Sequence, residues 1–227
     1  MNPRNGGISR VYRTKAQAKE SYDRISRFYD YVAGVFEKKC RNMALKRLNI
    51  RRGETVLEIG FGTGHCLRQI ARLAGENGWV FGIDISSGMT EVTKHRLEKA
   101  SLSNRVELYC ADAVKMPYED NKFDAVFMSF TLELFDTPEI AKVLAEIRRV
   151  LRENGRLGVV SISKEEDSIL IGLYEWAHER FPKYVDCRPI HVERSVRDAG
   201  FELEYKEKVK LMGLPGEIVI GVKKGKP

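Results

Sequence analysis

The chain has 227 residues, 43% hydrophobic and 31% charged, which fits one folded domain with a sizeable core and is short for two. No run approaches the roughly 18 apolar residues of a membrane span, and the basic start MNPRNGGISRVYRTKAQ has no apolar stretch behind it, so a secretory signal is not expected and the cytoplasm is the expected location. The net charge of +7 is uneven, since residues 1–52 hold 14 Lys/Arg against 4 Asp/Glu and the remainder holds 25 against 28.

In chain order, residues 1–14 carry Asn, Pro and paired glycines without periodicity and read as a loose arm. From Lys15 to Gly34, Tyr22, Ile25, Phe28, Tyr29 and Val32 fall at helical spacing and place an aromatic stripe on one face. A second helix is expected from Phe36 to Leu48, ended by the polar run Asn49 to Gly53. Strands and helices then alternate. Thr55–Ile59, Trp79–Ile83, Val106–Cys110 and Phe123–Phe130 read as strands, with helices over His65–Ala74 and Ser87–Ala100.

Pro138 opens the clearest helix, on which Ile140, Val143, Leu144, Ile147, Val150 and Leu151 form one buried face. Asn154-Gly155 is expected to stop it, and Arg156–Ile162 to form a fifth strand. Helices over Ser168–Glu179 and His191–Asp198 follow, then strands over Phe201–Val209 and Glu217–Val222 around a loop at Gly213, Pro215 and Gly216. Such alternation predicts an α/β fold with a mostly parallel sheet covered by helices. The expected organisation is a basic arm and helical cap over 1–52 and a core over 53–227, one structural domain overall.

The four cysteines form no CxxC pair and the four histidines are scattered, so no zinc pattern can be written and no metal is expected. The strongest local feature is Val56-Leu57-Glu58-Ile59-Gly60-Phe61-Gly62-Thr63-Gly64, a buried strand running into a glycine turn at its carboxyl end, where open α/β sheets bind ligands. Its third glycine comes one residue early for a dinucleotide fingerprint, and it lacks the Gly-Lys-Ser/Thr ending of a phosphate loop. About 20 residues on, Asp84 ends the second strand, where a carboxylate accepts bonds from ribose hydroxyls. A capping role for Asp84 is the plainer alternative, although Ser86 or Ser87 can supply that cap. Met89 follows at the helix start, able to pack on a flat base, and Asp112-Ala113 ends the third strand with a carboxylate and an amide suited to an adenine edge.

With these features the chain resembles the class I S-adenosylmethionine-dependent methyltransferases over about residues 54–163, most like the ubiquinone/menaquinone biosynthesis C-methyltransferase family. The resemblance is carried by VLEIGFGTG at 56–64, GIDIS at 82–86, ADAVKMPYEDNKFDAVFMSF at 111–130, EIRRVLRENGRL at 146–157 and the early run Tyr22-Asp23-x-Ile25-Ser26-x-Phe28-Tyr29-Asp30. It implies a three-layer methyltransferase fold with a mostly parallel seven-stranded sheet and an N-terminal helical cap. It implies S-adenosyl-L-methionine as cofactor, with Gly60, Gly62 and Gly64 around the methionine portion and Glu58 orienting its amino end. Asp84 and Ile85 would lie at the ribose, Met89, Asp112 and Ala113 at the adenine, and Ser129 on the passage to the sulfonium.

Methyl transfer is an in-line displacement at carbon, so a protein of this kind mainly aligns the acceptor and excludes water. Tyr22 and Tyr29 are acceptor-side candidates, although a helix-packing stripe explains them equally well. His178 is the histidine candidate for a general base, because a pKa near neutrality suits proton removal. After the fourth strand the quinone-modifying family carries a Phe-Gly-x-Arg-Asn-like segment, whereas this chain has Phe130-Thr131-Leu132-Glu133-Leu134-Phe135-Asp136. Glu133 can contact a cationic amine or simply face solvent in a loop, and Arg188 can meet an anionic substrate.

A small-molecule or lipid-precursor acceptor is the favoured expectation. Nucleic acid is the alternative raised by the basic first 52 residues, as is peripheral contact with an anionic membrane; a solvated face also accounts for them. Against nucleic acid, SFTLELF lacks the Asn/Asp-Pro-Pro-Tyr/Phe pattern suited to an extruded base. A non-catalytic cofactor-binding protein is a further alternative, and both monomer and homodimer stay open.

Overall fold

A computed structural model of the chain describes residues 11, 14, 16, 17, 19, 20, 23, 29–164, 172, 180, 187–211 and 213–225, with the backbone alone described for 29–36. The elements in order are α1 (Tyr29–Leu48), β1 (Thr55–Ile59), α2 (His65–Ala74), β2 (Trp79–Asp84), α3 (Ser87–Lys99), β3 (Val106–Cys110) and β4 (Phe123–Ser129). A single 3-10 turn (Leu132–Leu134) leads to α4 (Thr137–Val150), β5 (Leu151–Ile162), α5 (Val192–Asp198), β6 (Glu202–Leu211) and β7 (Leu214–Val222). The expected helix over Ser168–Glu179 lies, apart from Gly172, outside the described residues.

The seven strands form one sheet in the order β3-β2-β1-β4-β5-β7-β6. All neighbouring pairs from β3 to β5 are parallel, and β7 runs antiparallel to both β5 and β6. This is a three-layer α/β fold of Rossmann-like type. α1 and α2 supply Ala44, Leu45, Leu48, Leu67 and Ile70 to one face of the sheet, whereas Val143, Leu144 and Ile147 of α4 and Val196 of α5 cover the other. Chain direction across the sheet reverses between β1 and β4, and such a switch point opens a crevice at the carboxyl ends of the strands.

Several expected boundaries move. The loop expected at Gly213, Pro215 and Gly216 shrinks to a tight turn, because β6 runs on to Leu211 and β7 starts at Leu214, with Lys210 paired to Pro215 and Val209 to Gly216. Gly34 does not divide the first helical region: α1 runs unbroken from Tyr29 to Leu48, because one glycine inside a helix costs only about 1 kcal/mol. The Asn154-Gly155 pair does not end α4 either. The helix stops at Val150, β5 starts at Leu151, and the pair forms an irregularity within the strand, with Asn154 at φ 62°. Register supports this, since Leu151 pairs with Phe123 and Arg156 with Ala125 across the bulge. Among the described residues no helix is long and apolar enough to cross a membrane.

Arg156 fixes α1 onto the sheet. Its Nε donates to the Leu48 carbonyl at 2.9 Å and its guanidinium pairs with Glu54 at 2.6 Å, both side chains being largely buried. Replacing it by methionine keeps the apolar stem but strips the partner from Glu54 and from the last turn of α1. Arg156→Met is expected to lower unfolding stability by about 2–3 kcal/mol, read as a lower urea midpoint at unchanged m-value.

Candidate functional site

The site is built where β1 ends and the chain must turn sharply into α2. Gly60, Gly62 and Gly64 have φ of 70°, 50° and 77°, a region that side chains disfavour. Space forbids a Cβ at two of them: at Gly60 it would lie 2.3 Å from Thr131 Cγ2, and at Gly64 2.6 Å from Thr93 Cγ2. At Gly62 it would meet nothing within 4 Å, so this glycine borders open space.

The turn is held to the next strand by Asp84. Gly62 N–H donates to Asp84 Oδ2 at 2.8 Å and Ser86 N–H donates to Oδ1 at 2.9 Å. Burial pushes the Asp84 carboxyl above its usual range, and the bonds from Ser86 and Gly62 work against that rise. Ile85 N–H adds to these bonds, and since a carboxylate has about four acceptor positions, capacity remains for a ligand's hydroxyl. Ser86 takes the capping role, accepting the Met89 N–H at 3.0 Å, which leaves Asp84 free of that duty.

Residue Asp23 joins this cluster, which sequence reasoning missed beyond quoting it within a motif. Its carboxylate accepts Ser86 Oγ–H at 2.5 Å, Gly88 N–H at 2.8 Å and the Lys19 ammonium at 2.9 Å. Burial raises its pKa, but the bonds from Ser86, Lys19 and Gly88 outweigh that and bring it down to about 2. The N-terminal region is thereby tied to the first turn of α3, beside Asp84.

β3 completes this side. Ala111 N–H donates to the Asp84 carbonyl at 2.9 Å, and the Asp112 side chain accepts the Val114 N–H at 3.0 Å. Ala113 and Met89 are buried, and the Ile85 carbonyl faces Cys110 Sγ at 3.5 Å. Asp84, Ile85, Met89, Asp112 and Ala113 therefore collect around the ends of β2 and β3.

On the other side of the turn, β1 and β4 pair through Ile59 and Met128, one residue before Gly60 and Ser129. Glu58 is buried and its Oε2 has no hydrogen-bond partner; Ser129 Oγ is likewise buried and unpartnered among the described residues. Burial drives the Glu58 carboxyl well above its usual pKa, opposed by Arg41 and reinforced by Asp84. Phe130 then adopts φ 51°, which is rare for a bulky residue, while its N–H donates to the Val160 carbonyl at 2.8 Å.

The loop after β4 corrects two expectations. Glu133 does not face solvent: it is wholly buried in the 3-10 turn, because that turn folds back over the end of β5 and brings Oε1 to within 3.5 Å of Ile162 N. Arg188 is also wholly buried, donating to the Phe135 carbonyl and, at 3.2 Å, to Thr137 Oγ1, so it pins the start of α4. Tyr22 and His178 lie outside the described residues, and Tyr29 begins α1 with only its backbone described.

Residues 56–155 match the family model described as a methyltransferase domain. A ubiquinone/menaquinone biosynthesis C-methyltransferase from Azotobacter vinelandii is 34% identical over 146 residues, covering 64% of this chain and 57% of that protein. A demethylmenaquinone methyltransferase from Lactobacillus johnsonii is 27% identical over 186 residues, covering 79% of this chain and 75% of its own length. The chain thus spans under two thirds of the length of the first of these relatives. Among solved structures, a SAM-dependent methyltransferase from Aquifex aeolicus has a TM-score of 0.61 at 25% identity, over 80% of this chain and 88% of that one. The (4+2)-cyclase SpnF has a TM-score of 0.78 at 21% identity, over 98% and 100%. The chain thus has the class I S-adenosylmethionine-dependent methyltransferase fold, and its central residues are similar in sequence to enzymes of that class.

Two outcomes follow from the carboxylates. In Asp84→Asn the side-chain NH2 must confront either Gly62 N–H or Ser86 N–H, both donors. The expected result is at least a tenfold loss of affinity for S-adenosylhomocysteine by calorimetry, in line with about 1.5–3 kcal/mol per charged hydrogen bond. For Asp23 the folded pKa is depressed from 3.8 to about 2, so its contribution of about 2 kcal/mol is complete above about pH 4 and disappears toward pH 2. Urea unfolding of Asp23→Asn should show the deficit at pH 5 and little difference from the parent chain at pH 2.

Proposed function

We propose that the protein holds S-adenosyl-L-methionine across the carboxyl ends of β1, β2 and β3 and directs its methyl group, by in-line displacement, to a small-molecule or lipid-precursor acceptor beyond β4. The carrying observation is Asp84, held by the Gly62 and Ser86 amides at the mouth of the glycine turn and one strand from Glu58, whose Oε2 has no partner among the described residues. Its remaining acceptor capacity suits the ribose hydroxyls, with Ile85 alongside. Met89 suits the adenine face, and Asp112 with Ala113 its polar edge. Gly60, Gly62 and Gly64 leave room for the methionine portion, whose cationic amino end suits the unpaired Glu58 oxygen. Ser129 lines the way to the reacting carbon.

When bound, the cofactor supplies a methyl carbon on a positively charged sulfur. The chain's own residues then have a limited task, which is to hold the acceptor's nucleophile in line with that carbon and keep water out. The sequence relatives named for ubiquinone/menaquinone and demethylmenaquinone methylation support a quinone-precursor-like acceptor. Tyr22 and Tyr29 are its candidate aromatic walls, and His178 a candidate base.

The division into a basic cap over 1–52 and a core over 53–227 belongs to the same reading, with the cap helping to enclose the acceptor. A lipid precursor and the excess of basic charge in residues 1–52 together favour peripheral contact with an anionic membrane surface from the cytoplasm over a nucleic-acid partner. The likeness to a cyclase favours one second reading, a cofactor-binding protein of this fold that performs other chemistry or none.

The deciding experiment incubates the protein with methyl-labelled cofactor and a cell extract that holds both metabolites and nucleic acid. Label is expected in one or a few small molecules that partition into organic solvent. Label in nucleic acid would overturn the acceptor class, and binding of cofactor with no label in any fraction would establish the second reading.

A further inference from the structure

Three polar side chains at one stretch of sheet edge are buried without complete hydrogen bonding: Glu58 at the end of β1, Ser129 at the end of β4 and Glu133 four residues later. Each such orphan costs about 1–3 kcal/mol, so a cluster of them is kept only where something else satisfies it. Glu58 and Ser129 are absorbed by the cofactor reading. Glu133 is not.

Its placement is built with some effort. The left-handed Phe130, at φ 51°, turns the chain at the end of β4 at a cost of order 1–3 kcal/mol. The following 3-10 turn then lays Glu133 over the end of β5, where the carboxyl meets Ser161 and Oε1 accepts from Ile162 N–H, while Oε2 has no hydrogen-bond partner among the described residues. The walls here are apolar, with Phe130, Leu132 and Ile162 all buried.

We propose that Glu133 is the acceptor-side base: its unpartnered Oε2 takes the proton from a weakly acidic hydroxyl, phenolic in class, on the molecule to be methylated. This rests on the methyl-transfer reading above and deepens it. The acceptor's O–H bond breaks, its electron pair stays on the acceptor, and the proton bonds to Oε2. That electron pair, from oxygen or through the conjugated ring carbon, bonds to the methyl carbon as the carbon–sulfur pair withdraws onto sulfur. One positive charge and one negative charge are discharged together. On ring methylation the ring C–H proton is lost and the oxygen regains a proton; otherwise the proton on Oε2 goes to water at product release.

Burial pushes the Glu133 carboxyl up to about 8, against the bonds from its own backbone amide, Ser161 and Ile162, and Glu37 adds to the rise. A base poised near the working pH is the efficient one. The charged groups of the neighbouring elements are themselves paired. Glu37 of α1 pairs with Arg41 at 2.8 Å, Glu217 of β7 with Lys206 at 3.0 Å, and Arg188 with the start of α4.

The folded pKa is raised above the unfolded value of 4.5, so between about pH 4.5 and 8 the unfolded chain ionises while the folded chain keeps its proton. Glu133 therefore removes stability as pH rises through that window. Glu133→Gln keeps the shape without the titration and is expected to be more resistant to urea than the parent chain at pH 8.5, and equal to it at pH 4.

The test combines that comparison with two others. S-adenosylhomocysteine affinity of Glu133→Gln should stay within about twofold, since no cofactor contact is removed. Label transfer from methyl-labelled cofactor into the small molecules of a cell extract should fall about 10²–10⁴-fold and lose the rise in rate around pH 8. A transfer rate within about threefold of the parent, or an unchanged pH profile, overturns the proposal. So does a variant that is less stable at pH 8.5, which would make Glu133 an ordinary structural carboxyl. If the parent chain labels nothing, the methyl-transfer reading itself fails, whatever the variant does.

Discussion

One carboxylate holds the ligand-binding edge together. Asp84 sits at the end of β2, and its two oxygens take one amide each from opposite sides, Gly62 in the turn after β1 and Ser86 at the start of α3. A turn with three left-handed glycines has little intrinsic preference for one shape, because glycine loses the most backbone freedom on ordering. The charge of Asp84 selects the shape. Through Ser86 Oγ the same cluster reaches Asp23, so the N-terminal region is tied to the edge by a second carboxylate. Three segments far apart in sequence thus share one small hydrogen-bonded group.

The opposite half of the edge is organised by what is left unpaired. Glu58, Ser129 and Glu133 all keep buried oxygens without partners among the described residues. A core designed only for stability would replace them with apolar groups, since a buried orphan is worse than no polar group at all. Their retention separates the two halves in kind. Around Asp84 the polar groups are hydrogen-bonded to one another; around β4 they keep unpartnered oxygens among the described residues. On the proposed methyl transfer, the first condition suits holding a cofactor and the second suits meeting another molecule.

The sequence was most legible where backbone geometry depends on residue type. The glycines after TVLEI, the strand end at Asp84 and the paired turn at Asp112 were readable because strand ends in an alternating α/β pattern have few possible places. All seven strands were foreseen, and only boundaries moved. The misplacements have physical reasons. Gly34 and Asn154-Gly155 carry turn signals that tertiary packing and the β4–β5 register overrode. Glu133 was illegible for a different reason: a charged residue in a short connection reads as solvated, and its burial depends on Phe130 adopting a conformation that phenylalanine does not advertise. Asp23 was quoted in a motif, yet nothing local shows that it would meet Ser86, 63 positions away.

The departure after β4 from the quinone-modifying pattern also bears on the glycine turn itself. Where that pattern has glycine, this chain has Thr131, and the Thr131 side chain occupies the space that a Cβ on Gly60 would need, at 2.3 Å. Gly60 and Thr131 are therefore a fitted pair. Thr131 Oγ–H also donates to the Ser129 carbonyl at 3.0 Å, which tightens the loop just before Glu133. Replacing arginine with Glu133 inverts the charge offered at this place, and replacing glycine with Thr131 stiffens the support beneath it. Through Thr131, the shape of the loop that buries Glu133 is coupled to the shape of the glycine turn, so a change in either must be accommodated by the other.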